Sequence, residues 1–186
     1  MKHPANKELF AYWDACRGTR AAPDRDDIDP AALRRLLADT FILTVDAEKG
    51  HPFRLAGTRL CALFGRELKG TSFTALWHES DQATLVDLLD GVIGEPGGLV
   101  AGIIAETDDG FAADAEMVLL PLARLHEPAH RLLGRLATHP QPFWLGAKTA
   151  TLSLQGFRYL EPAHRIPRDP LVLRRHGFTI YEGGRR

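Results

Sequence analysis

Residues 99–137 carry three extended stretches in direct succession, and this constrains the fold more than any other feature. Leu99 to Glu106 is a nearly continuous apolar run, followed by Asp109-Gly110. That dipeptide is a strong hairpin signal, because glycine accepts the left-handed backbone of a tight turn. Ala113, Ala115, Met117 and Leu119 then alternate with Asp114, Glu116 and Val118, which is the period of a strand. Pro121 marks a bend or an edge, since it has no N–H to give to a ladder. After a turn at Glu127-Pro128-Ala129, Arg131 to Ala137 forms a final strand.

The first half supplies a hairpin and the helices. Asn6 is expected to cap a helix whose Leu9, Phe10, Trp13 and Cys16 share a face, with Gly18 as its stop. Asp29-Pro30 is a second start signal, leading into a short helix with Leu33, Leu36 and Leu37. Phe41 to Val45 and Pro52 to Ala56 read as two strands around the turn Asp46 to Gly50. A short helix after Gly57 carries Leu60, Leu63 and Phe64, and the clearest helix runs from about Glu79 to Ile93. Hairpin-joined strands with helices grouped between them imply an α+β fold: a five-stranded antiparallel sheet, helices on one face, and an N-terminal helical extension. The expected divisions are a cap over 1–38, a central domain over 39–138, and a docked segment with a loosely ordered basic tail over 139–186.

Bulk properties exclude several classes. The 186 residues, 45% hydrophobic and 25% charged, can build one ordinary domain. There is no run of about 18 apolar residues and no apolar leader, so a cytoplasmic location is expected. Cys16 and Cys61 are too few for a disulfide framework and read as small buried hydrophobes. The net charge of −1 is unevenly spread: residues 139–186 hold eight Lys/Arg against three Asp/Glu, a balance of +5, leaving −6 for the rest. Such a tail can contact nucleic acid, but its arginines are scattered and lack interleaved aromatics.

Leu9-Phe10-Ala11-Tyr12-Trp13, Pro23-Asp24-Arg25, Asp27-Ile28-Asp29-Pro30 and Phe53 to Leu60 occur in order. They continue through Phe64 to Gly70, Leu120-Pro121-Leu122 and Trp144-Leu145-Gly146. With the two-plus-three split of strands, this run resembles the stand-alone bacterial single-domain PAS proteins typified by motility regulators. The resemblance covers roughly residues 6–160. It implies a regulatory module acting through protein contacts or a pocket ligand, and it carries over no catalytic residues.

Motifs of other chemistries fail on inspection. His126-Glu127-Pro128-Ala129-His130 has the letters of a zinc hydrolase helix. Pro128 removes a helical donor and pushes Glu127 out of the α region, so no zinc is expected. The string Glu-Pro-Ala-His-Arg recurs at 161–165, as coincidence of composition would have it. Asp108, Asp109, Asp114 and Glu116 read as a turn and a solvated sheet face. Cys61 lacks the Asn and Arg company of a photoactive flavin site; His78 is roughly placed for a haem ligand, but a histidine at a helix start is more often structural or exposed. Neither cofactor is expected.

What remains is an apolar space between sheet and helices. Its candidate ligand-binding residues are Phe41, Arg54, Leu55, Arg59, Phe64, Phe73, Trp77, Ile103 and Met117, with Leu43, Leu63, Leu85 and Leu89 as further lining. Arg54 and Arg59 stand in an apolar stretch, so they must be exposed, face an anionic ligand group, or pair, with Asp27 or Asp29 as the ordinary partners. Phe10, Tyr12 and Trp13 are the candidate interface for a homodimer or a signalling partner. Two alternatives stay open. One is a small-molecule isomerase or hydratase on a cone-like α+β fold, which requires an inward carboxylate or histidine. The other is a DNA-associated regulator using the basic tail.

Overall fold

A computed structural model describes residues 1–94, 96–124, 127–161, 173–175 and 178–180. Helix α1 spans Pro4–Arg17, α2 Thr58–Leu63 and α3 Glu79–Gly94. The strands are β1 Thr40–Thr44, β2 Phe53–Ala56, β3 Gly98–Thr107, β4 Ala112–Arg124, β5 Glu127–Thr138 and β6 Ala150–Leu160. They form one antiparallel sheet in the order β2-β1-β5-β4-β3-β6. Two short strands, β7 Leu173–Arg175 and β8 Phe178–Ile180, pair with each other. The rest of the basic tail lies outside the described residues.

The hairpins and the meander fall where their turn signals stand. Asp109-Gly110 turns β3 into β4, with Gly110 at φ 84°. The meander is longer than its apolar alternation alone suggests, because β5 begins at Glu127 rather than Arg131. The sheet also holds a sixth strand, β6, where the sequence reading assigned no element. Leu152 and Leu154 alternate inward, but a register shift opposite Gly102/Ile103 breaks the pattern before Phe157.

Two elements differ from expectation. His3, not Asn6, caps α1: its side chain accepts from the Ala5 N–H, and Pro4 occupies the first turn. The segment after Asp29-Pro30 is a series of turns ending in a 3-10 turn at Leu37–Asp39, although Asp29 does accept from the Ala31 N–H.

Alternation along the strands sends side chains into two cores. Phe41, Leu43, Ile103, Met117, Leu119 and Leu136 point to the inner face, where α2, α3 and the 3-10 turn at Thr74–Leu76 cover them. Val100, Val118, Leu120, Leu122 and Leu133 point to the outer face. That face is not solvated: Leu9 and Trp13 of α1 close it together with Ile28, Leu33 and Leu36. The helices therefore lie on both faces, with the N-terminal extension forming the outer layer. Trp144, in the segment after β5, is buried in the inner core.

Candidate functional site

The inner core is built around aromatic rings. Phe41 and Phe73 stack at 5.6 Å, and Phe53 meets both edge-on at 5.5 and 5.6 Å. Trp77 packs edge-on against Phe73 at 5.8 Å. The Phe41 ring lies directly on the β5 backbone at Gly134, where a Cβ would sit 2.1 Å from its Cζ. Glycine is what lets this ring reach the sheet.

Two buried side chains, one in this core and one on the neighbouring turn, have no hydrogen-bond partner. The Trp77 indole N–H has none, and neither ring nitrogen of His51 has one. His51 is 1% exposed and holds φ 53°, the left-handed region that favours glycine. Phe73 links the two: its N–H donates to the Gly50 carbonyl beside His51, and its ring contacts Trp77. Burial lowers the His51 pKa, against the pull of Asp90 and Asp46, so the imidazole is neutral.

Of the sequence candidates, Phe41, Phe64, Phe73, Trp77, Ile103 and Met117 share this cluster. Arg54 and Leu55 do not; both are exposed on the edge strand β2. Arg59 is not an inward cation either, because it pairs at 3.1 Å with Asp39, a partner other than Asp27 or Asp29. Of the α1 interface candidates, one faces inward. Trp13 is fully buried and its indole donates to the Pro121 carbonyl at 2.8 Å, so it holds α1 to the sheet. Phe10 and Tyr12 are half-buried, and the Tyr12 hydroxyl accepts from the Asp29 N–H.

The outer core contains a polar network that the sequence pattern hid. Glu116, expected on a solvated face, accepts from the Lys2 and His3 backbone N–H groups at 2.6 and 2.9 Å and from Asn6 Nδ2 at 3.0 Å. Burial pushes the Glu116 pKa up, but these donors outweigh it and the net shift is downward. Asn6 Oδ1 accepts in turn from Arg135 Nη1 at 2.7 Å, and Arg135 Nη2 reaches Asp39 at 2.9 Å. Asp39 thus bridges buried Arg135 and half-exposed Arg59.

The remaining motifs resolve simply. The backbone of Glu127–His130 is strand, so no helix sets two histidines one turn apart; the side chains there and His126 lie outside the described residues. His78 is exposed at the start of α3, with Nδ1 on the Ser80 hydroxyl at 2.9 Å. Burial pushes the half-buried Cys61 thiol up, and its Sγ lies 3.7 Å from Glu67 Oε1, which disfavours a reactive thiolate. Asp108 and Asp109 line a shallow cleft of about 400 Å³, where Lys148 takes the Asp109 carboxylate. No group of three or more possible metal-binding side chains occurs among the described residues.

A family model described as a PAS domain matches residues 1–137, and the chain belongs to that family of sensory and signalling domains. Among solved structures it is similar to an RNA-binding light-oxygen-voltage receptor, at 17% identity over 59% of this chain and 32% of that one, TM-score 0.45. It thus spans less than a third of that receptor's length. It is also similar to the PAS domain of a protein from Colwellia psychrerythraea, at 15% identity over 59% of this chain and 97% of that one, TM-score 0.45. Drosophila melanogaster Cycle PAS-B with bound ethylene glycol is another, at 14% identity over 53% and 97%, TM-score 0.43. No curated protein matches the chain. No helix among the described residues is long and apolar enough to cross a membrane.

Proposed function

We propose that the protein is a non-catalytic regulatory PAS module, of the motility-regulator-like kind, that takes a small uncharged ligand in its inner core. It passes its state on through protein contacts, to a second copy or a signalling partner. The observation that carries the ligand is a pair of buried, unpartnered groups, the Trp77 N–H in the core and the neutral His51 ring on the turn whose Gly50 carbonyl takes the Phe73 N–H. Each stranded polar group costs about 1–3 kcal/mol, which a bound acceptor or donor recovers. The rest of the lining is apolar, and the arginines that would hold an anion lie elsewhere.

His51 is also the residue an isomerase or hydratase reading asks for. An acid–base histidine is oriented by a partner that hydrogen-bonds its other nitrogen, and His51 has none. A ligand-binding role fits it better.

Native mass spectrometry of the purified protein tests both halves of the reading. The expected spectrum shows a small molecule that denaturation releases, bound with about 5–150-fold lower affinity by Trp77→Phe, as one stranded buried polar group requires. A ligand-free spectrum, or occupancy indifferent to both Trp77→Phe and His51→Phe, would sink the ligand. A species that is monomeric at every concentration would leave only heterologous partners.

A further inference from the structure

The outer-face network contains one group whose hydrogen-bonding role inverts on protonation. His3 caps α1, with Nδ1 accepting from the Ala5 N–H at 3.2 Å. The same nitrogen lies 3.3 Å from Arg135 Nη1. Both contacts require a lone pair on Nδ1, because a backbone amide and a guanidinium can only donate.

The surroundings of this ring disfavour another cation on balance. Arg135 faces it from β5, and His139, just past β5, meets it edge-on at 5.7 Å. Glu116 faces it from β4 but is already taken by the Lys2 and His3 backbone and by Asn6. Asp39, in the turn before β1, is shared between Arg135 and Arg59.

We propose that His3 is an acid-sensitive latch, whose protonation releases α1 from the outer face of the sheet and uncovers the apolar floor beneath it. A proton on Nδ1 turns the acceptor into a donor, so Ala5 loses its cap and a cation stands against Arg135. The released helix would take Leu9 and Trp13 away from Val118, Leu120 and Leu133.

The linkage has a definite sign. Burial, then Arg135 and His139, lower the docked His3 pKa below the ordinary 6.5, with Glu116 and Asp39 opposing. The released state therefore binds the proton more tightly. Docking is complete above the released-state value and weakens as pH falls below it, by up to about tenfold per pH unit, until the docked-state pKa is reached. The device does not depend on a ligand in the inner core, so either idea can fail alone.

Hydrogen–deuterium exchange on the whole protein at about pH 7.5 and about pH 5.5, corrected for intrinsic rates, reads the latch directly. Protection of the α1 amides should fall at the lower pH, by at most about tenfold, while β3 and β4 hold theirs. His3→Asn and His3→Ser keep a capping oxygen without a titrating ring, and both should abolish the fall. Equal α1 protection at the two pH values in the native protein overturns the proposal. A fall that survives in both variants overturns it too, by placing the titration on another group.

Discussion

The two faces of the sheet bury polar groups under opposite rules. On the outer face nearly every buried polar side chain is answered: Glu116 by three donors, Arg135 by Asn6 and Asp39, and the Trp13 indole by the Pro121 carbonyl. Arg135 Nε is the exception. On the inner face the rings pack closely, yet the Trp77 N–H is left unanswered, as is the buried His51 ring on the turn before β2. A satisfied network fixes where a layer sits, since any shift strands several groups at once. Unanswered groups in an otherwise apolar core mark a place where something else can bind. On the two proposals above, the outer face is architecture with a release point and the inner face a receptor.

The largest expected effect breaks the outer network. Arg135→Met leaves Asp39, 5% exposed, with only the half-exposed Arg59 as counter-ion. Removing one partner of a buried pair costs about 3–5 kcal/mol, so urea unfolding should show a loss of that order. Adding Asp39→Asn should recover part of it, because the stranded charge is then gone. A loss below about 1 kcal/mol would mean that the network contributes little beyond surface pairs.

The matching test on the inner face is steric. Gly134→Ala places a Cβ 2.1 Å from the Phe41 ring, which must then leave its stack with Phe73. Overpacking of this kind costs about 1–3 kcal/mol, read from the unfolding midpoint. Phe41→Leu in the same chain should relieve it, and a double variant no better than Gly134→Ala would show that the ring is not the obstacle.

Much of this was legible in the chain, and the reasons for the misses are physical. The Asp109-Gly110 hairpin, the alternation around Met117 and the long helix from Glu79 are local signals, and each appears where the sequence puts it. Strand β6 was not legible because its alternation breaks at a bulge beside Gly156. The roles of Glu116 and Arg135 are hidden for a different reason. A polar residue at an outward strand position looks the same whether water or a second helical layer lies above it, and only the tertiary docking of α1 decides. His51 gave no signal at all: nothing in Gly50-His51-Pro52 shows that the Ser72–Thr74 loop will close over the turn. Burial of Phe41, Phe64, Phe73, Trp77, Ile103 and Met117 follows their apolar side-chain chemistry. The positions of the cations are not legible in the same way: Arg54 lies on an exposed edge and Arg59 pairs with Asp39.

The finest test makes the same substitution on both faces. Trp13→Phe and Trp77→Phe delete nearly equal ring volume from buried sites, so their cavity costs largely cancel in the difference. What remains is the indole hydrogen bond. Trp13→Phe strands the Pro121 carbonyl, whereas Trp77→Phe removes a donor that has no acceptor. In ligand-free protein, Trp13→Phe should therefore cost about 1–3 kcal/mol more than Trp77→Phe by urea unfolding. In protein that retains a co-purified ligand the gap should narrow, because Trp77 then has an acceptor to lose. Equal costs in the ligand-free state would show the Trp77 N–H already satisfied, and the contrast between the two faces would no longer point to a receptor.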